Sequence, residues 1–163
     1  MFRQIHSSIW AEPWFEPLCP EAKVLFFFLL SSPLTSPAGF LTASPQRIAL
    51  ECRIVTDMVP DYSKVLVSTG RVLYWPDGSL YWLKRFSKWQ GHGEKWERHV
   101  MNSLAELPGF AIDAFKVEYP ILFSKYPTDT LSISHTYPTH IPPMGVPTAE
   151  QKIREHTITE LTP

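Results

Sequence analysis

The chain has almost no net charge, few cysteines, few glycines and no long apolar run. Fifteen Lys and Arg against 16 Asp and Glu leave a formal charge of −1. That removes any global attraction to nucleic acid or an anionic membrane, so a basic surface has to be local. Two cysteines, Cys19 and Cys52, make neither a disulfide framework nor a metal-ligand set, and suit small buried side chains in a reducing cytoplasm. The longest apolar run is the seven residues Val24 to Leu30, far short of the roughly 20 that span a bilayer. Met1-Phe2-Arg3-Gln4 lacks the apolar stretch of a signal peptide, so no membrane partner is expected. Seven glycines in 163 residues supply neither G-x-x-x-x-G-K-[ST] nor G-x-S-x-G, the phosphate cradle and the nucleophile elbow. Gly91-His92-Gly93 is a joint between elements. His92 and His99 have no third ligand at metal spacing. No catalytic residue, metal or cofactor is expected, and the chain is not read as an enzyme.

What the sequence does have is apolar and aromatic mass: 44% hydrophobic and 13% aromatic residues, enough for one domain with a core. The clearest local signal is Arg71 to Phe86. Two runs rich in Val, Leu, Tyr and Trp flank Pro76-Asp77-Gly78-Ser79. An Asp-Gly pair between β-prone runs predicts a hairpin with a type I′ turn at Asp77-Gly78. Trp75 then faces Leu80, Tyr74 faces Tyr81, Leu73 faces Trp82 and Val72 faces Leu83. A lone hairpin is marginal in water and must lean on other elements.

Upstream, Ile5, Ile9 and Trp10 are expected to dock a lead-in segment on the core. Pro20 opens a helix whose Ala22, Leu25, Phe26, Leu29 and Leu30 recur at helical spacing. Val24, Phe27 and Phe28 make it apolar nearly all round, which predicts a central, buried helix. Gly39 to Thr42 reads as a third strand. Ser44 and Pro45 cap a short second helix bearing Ile48, Ala49 and Cys52. A third helix begins at Thr56 or Asp57, with Met58, Tyr62, Val65, Leu66 and Thr69 inward and Gly70 closing it. Downstream, Ser87 to Gly93 reads as a polar link, and Glu94 to Leu107 as a helix with Trp96, Val100, Leu104 and Leu107 on one stripe. The first half of Phe110 to Leu122 reads as helical. The expected class is α+β and mostly helical, a winged helix-turn-helix with a β-hairpin wing and extra C-terminal helices over residues 1–122. Residues 123–163 read as a proline-rich flexible tail or linker, with Tyr-Pro-Thr repeating eleven residues apart and Ala149 to Glu160 either a short solvated helix or irregular.

Binding signals are local. Lys84, Arg85, Lys88, Lys95 and Arg98 fall within fifteen residues against Glu94 and Glu97, interleaved with Phe86, Trp89 and Trp96. Cations release counterions from phosphates, and aromatic rings stack on bases. Arg71 opposes Lys84 at the hairpin root, a repulsion that an anion would relieve. The plainer alternative is a solvated basic face whose indoles belong to the core. On the third helix, Ser63 and Lys64 face outward as candidate DNA contacts. Asp57 and Asp61 on the same side argue for partner docking or self-association instead.

Ile5 to Trp10, Phe15-x-x-Leu18, Glu21-Ala22-Lys23-Val24-Leu25-Phe26 and Gly39-Phe40 resemble the opening of phage replication proteins. So do Lys84-Arg85-Phe86-x-Lys88-x-Gln90 and the proline-rich tail. The group is that of replisome organisers and replication initiators with a DnaD-like N-terminal winged-helix domain. Where it often carries Asp two residues after the Trp, this chain has Glu12. The resemblance covers about residues 2 to 125. It implies a domain that binds duplex or single-stranded origin DNA or self-associates, in the cytoplasm of a bacterium or a bacterial host cell. It also implies a C-terminal region that engages single strands or other replication proteins, and no segment of this chain is assigned to that role. A winged-helix transcriptional regulator is the other reading of the same fold.

Overall fold

Pro20 begins α1 (Pro20–Ser31), because its fixed φ suits the first turn and its missing N–H has no intrahelical acceptor there. The computed structural model describes residues 3–126. In it Ala22, Leu25, Phe26, Leu29 and Leu30 form the buried stripe of α1. The helix is one-sided, contrary to the all-round burial its composition suggests: Val24 is 43% exposed and Phe27 and Phe28 are half-buried. The lead-in also differs from expectation. Ile9 is buried, but Ile5 and Trp10 are exposed. The anchor is Phe15, fully buried, which meets Trp14, Phe26 and Phe27 edge-on at 5.3, 5.7 and 5.5 Å. Such edge-to-face pairs satisfy the ring quadrupoles.

A strand, β1 (Phe40–Thr42), and two helices follow, α2 (Pro45–Cys52) and α3 (Val59–Ser68). The Ser44 hydroxyl accepts the Arg47 N–H at 3.3 Å, as an N-cap does. The inward face of α3 is rotated from the expected one. Val59, Ser63, Leu66 and Val67 are buried, while Met58 and Val65 are exposed. A 3₁₀ turn over Thr56–Met58 precedes the helix, and its tighter winding shifts the phase of the stripe.

The hairpin is β2 (Val72–Trp75) and β3 (Leu80–Leu83), paired Val72–Leu83, Leu73–Trp82, Tyr74–Tyr81 and Trp75–Leu80, the register expected from the sequence. β1 joins as a third antiparallel strand in the order β1-β3-β2. The turn itself is not type I′. Pro76–Gly78 form a 3₁₀ turn, Pro76 O accepts the Ser79 N–H at 3.0 Å, and the left-handed residue is Ser79 at φ 47°. Pro76 fixes a negative φ at the start of the loop, so the reversal of hand falls at its end. The register survives because the loop spans the same four residues.

All eight residues of β2 and β3 are buried. One face, with Leu41, Val72, Tyr74, Tyr81 and Leu83, packs in the core with α1, α2 and α3. The other, with Phe40, Leu73, Trp75, Leu80 and Trp82, lies under the C-terminal elements. These are α4 (Phe86–Gln90), α5 (Glu94–Asn102), α6 (Gly109–Glu118) and α7 (Pro120–Lys125). Phe40 stacks on Trp82 at 5.2 Å, and Phe115 of α6 sits 5.7 Å from Trp82 and 4.4 Å from Tyr119. The hairpin is therefore the middle layer of three, not a free projection. The polar link expected at Ser87 to Gly93 is instead the helix α4 followed by a short joint. Buried Phe86 docks it against the first core. The helix α7 runs past residue 122 to Lys125, so the globular body extends beyond the expected boundary. The remainder of the expected tail, with Ala149 to Glu160, lies outside the described residues.

Two buried phenols tie the layers together. Ser63 gives its hydroxyl proton to Val59 O at 2.8 Å, so the Tyr81 hydroxyl donates to Ser63 at 2.9 Å. The Tyr119 hydroxyl donates to Lys84 O at 2.6 Å. Burial pushes the Tyr119 phenol up to about 12 and raises Tyr81 as well. Unfolded phenols ionise near 10, so between that pH and 12 the folded chain holds more protons than the unfolded one. Stability is complete below pH 10 and falls as pH rises toward 12. Thermal midpoints measured at pH 9 and pH 11 should drop at the higher pH, and Tyr119→Phe should shrink that drop.

Candidate nucleic-acid interface

The cations of the basic segment are distributed by α4, the five-residue helix that follows the hairpin. Residues four apart share a helix face. Arg85, at its N-cap, and Trp89 line one cleft; Ser87 and Lys88 line another. Phe86 and Trp89 at i, i+3 and the stop at Gly91 are the sequence signal of this helix. In a segment this short, propensity alone leaves it indistinguishable from a link.

The first cleft, about 440 Å³, lies at the hairpin root. Arg71 from just before β2 and Arg85 from beyond the end of β3 line it with Trp14, Trp89, Gln4, His6 and Glu12. The Lys84 N–H donates to Arg71 O at 3.0 Å, so the predicted opposition of Arg71 and Lys84 is present. The half-buried Arg71 guanidinium lies 5.4 Å from the Trp14 ring, a cation–π contact that spreads the charge over an indole face. Trp89 is 36% exposed. Residues of the lead-in form the opposite wall. The Gln90 carboxamide closes on the Gln4 backbone with two hydrogen bonds of 2.9 and 2.8 Å. Arg3 is held by Thr35 O and by the Phe86 ring 4.9 Å away.

The second cleft, about 390 Å³, lies between α4, α5 and α7 and takes Lys88, Lys125, Glu97, Glu118, Trp96 and Tyr119. Lys88 Nζ sits 4.9 Å from the Tyr119 ring. Lys125 is paired with Glu97 at 2.6 Å. This contact holds the Glu97 carboxyl below its ordinary range. An adjoining shallow groove on α5 carries Lys95, Arg98, His92 and His99. There Arg98 pairs with Glu94 at 2.7 Å, both side chains well exposed.

No family model matches the chain, nor does any curated protein or solved structure.

The expected site residues thus fall into groups. Arg71 and Arg85 converge on the root cleft. Lys84 is half-buried beside it, its backbone held between Arg71 and Tyr119. Lys88 on α4 lines the second cleft, and Lys95 and Arg98 on α5 line the adjoining groove. On α3 the expectation for Ser63 is overturned: it is fully buried and bonded to Tyr81, because the 3₁₀ turn rotates it inward, and it meets no external ligand in this fold. Lys64 is exposed and paired with Asp61 at 2.8 Å. Trp14 and Gln4 carry no signal in the sequence that marks them as site residues; only the fold brings them to the cleft. Among the described residues no group of three or more His, Cys, Asp or Glu is placed to hold a metal ion, and no helix is long and apolar enough to cross a membrane.

Proposed function

We propose that the chain is a non-enzymatic DNA-binding protein of phage replication initiation, built on a winged-helix body and acting in a bacterial cytoplasm. One observation carries the reading: Arg71 and Arg85, from the two ends of the hairpin, line one cleft together with two indoles. Guanidinium groups match phosphate geometry and also stack on rings, so a basic-aromatic cleft suits a single strand. The order of helices and hairpin, and the resemblance of the opening residues to replication proteins, support the same class. Contact is made from the root of the hairpin, since its tip carries Asp77 and no cation.

A sequence-specific transcriptional regulator has less support. The exposed side of α3 and of the turn before it offers Met58, Asp61 and Val65, and its Lys64 is already paired. Base readout in a major groove needs donors and acceptors free to reach base edges. The same side favours a second reading, a protein-interaction module. Leu50 and Val55 are each 67% exposed, and Met58 and Val65 are exposed as well; exposed apolar side chains, where they adjoin, mark an interface.

A titration of the full chain with single-stranded and duplex DNA over roughly 50–200 mM salt separates these readings. Binding should weaken linearly in log–log form, with a slope of about −0.7 per single-strand phosphate neutralised. A flat response, or no binding at the lowest salt, overturns the DNA reading. Sedimentation of the free protein as a monomer at all concentrations removes self-association.

A further inference from the structure

We propose that the root cleft is an end-binding pocket: it takes the terminal nucleotide of a single strand, with the phosphomonoester on Arg71 and Arg85 and the base on the Trp89 indole. This rests on the DNA-binding reading above and adds which part of the strand is recognised.

The first ground is pairing. Among the described residues, neither Arg71 nor Arg85 holds a carboxylate, a state they share with most of the chain's described cations, and neither guanidinium makes a side-chain hydrogen bond there; what sets these two apart is that they line one cleft. Arg71 is half-buried against the Trp14 ring, so its guanidinium is held in place while its charge stays without a carboxylate partner. Glu12 lines the same cleft but forms no ion pair with either arginine. Two guanidiniums facing one carboxylate leave the cleft cationic and suited to an anion.

The second ground is the chemistry of that anion. A backbone phosphodiester carries one charge and two free oxygens. A terminal phosphomonoester carries roughly 1.5 to 2 charges near neutral pH and three acceptor oxygens. Two arginines lining one cleft from separate elements match the second better, since each guanidinium can take a pair of oxygens.

The third ground is shape. The lead-in lines the cleft with Gln4, His6 and Glu12, and is itself held by the Gln4–Gln90 pair and by buried Ile9 and Phe15. The volume of about 440 Å³ lies in the range of small-molecule sites, roughly 300–1,000 Å³. The Trp89 ring, partly solvent-facing at the rim, offers a stacking surface to the base that follows the phosphate.

The test uses the full chain and one single-stranded sequence in four forms: linear with a 5′-phosphate, linear with a 3′-phosphate, linear with hydroxyl ends, and circular. Thymidine monophosphate is the free-nucleotide probe. Affinities are read by fluorescence anisotropy of labelled DNA and by competition. At least one phosphorylated linear form should bind about tenfold tighter than the circle, the effect of roughly one added charge-assisted contact. Arg85→Gln, at an exposed position, should bring that ratio to about one; Arg71→Gln should do the same if it folds. Equal binding of circular and phosphorylated linear strands overturns the end-binding proposal while DNA binding stands. Failure of every form to bind overturns both. Thymidine monophosphate binding as tightly as the strand end also overturns the proposal, since the source is then a free nucleotide.

Discussion

Gly39→Ala is expected to destabilise the protein by roughly 2–5 kcal/mol, the combined effect of left-handed backbone strain and overpacking. Gly39 sits at φ +88°, and a Cβ there would lie 2.6 Å from Phe86 Cβ and 2.8 Å from Leu83 O. Neither neighbour can yield easily. Leu83 O belongs to the end of β3, and Phe86 is fully buried at the start of α4. The backbone of Gly39 is held as well, its carbonyl accepting the Leu83 N–H at 3.0 Å. Gly70→Ala is the control. Gly70 has φ +70°, but a methyl group added there would meet nothing within 4 Å, so only the conformational cost of about 1–2 kcal/mol applies. Urea unfolding of the two variants should rank them in that order. Equal losses would mean that close packing of α4 on the β1–β3 end contributes little. The functional consequence is specific. Gly39 lets Phe86 seat α4, and α4 carries Arg85 and Trp89 into the root cleft. A Gly39→Ala protein that remains folded should therefore bind DNA less well than the Gly70→Ala protein.

Much of the architecture is legible because its signals are local and strong. Ser44-Pro45 marks a helix start, and aromatic alternation on both sides of Pro76 to Ser79 implies a pairing register that is present strand for strand. The misreadings have physical causes. The register depends on loop length, but the turn type depends on where the proline forces negative φ, and Pro76 overrides the Asp-Gly signal. The face of α3 depends on phase, and a single 3₁₀ turn moves Ser63 from solvent to core. In α1 and the hairpin, composition shows that residues are apolar but not which layer they face. The sandwiching of β2 and β3 arises from packing among Phe40, Trp82 and Phe115, far apart in sequence. The candidate site is half legible. Charge clustering names Arg85, and the hairpin register names Arg71 through its opposition to Lys84. Their shared cleft depends on a lead-in about sixty residues upstream, which no local pattern connects to them.

The paired reversal Arg71→Glu with Arg85→Glu should weaken single-strand binding on the order of 100-fold or more at low salt, from two charge-assisted contacts at roughly 1.5–3 kcal/mol each. The salt slope should also become shallower by about 0.7 for each phosphate no longer neutralised. The reversal Lys95→Glu with Arg98→Glu adds as much negative charge but should act far less. Arg98 is already paired with Glu94 across an exposed turn of α5, and both residues lie beyond α4 from the root cleft. The comparison separates a local site from a general field. If binding followed total charge, the two double variants would be equivalent, and their salt slopes would fall together. If the root cleft holds the phosphate, only the first variant has a reduced slope. Arg71 also packs on Trp14, and removing that cation–π interaction costs about 0.5–1 kcal/mol of stability. This is small enough that an unfolding curve on the same sample distinguishes a weakened fold from an impaired phosphate site. Equal losses of affinity from the two reversals, with unfolding unchanged, would move the DNA-binding surface away from the hairpin root to the adjoining surfaces of α4 and α5.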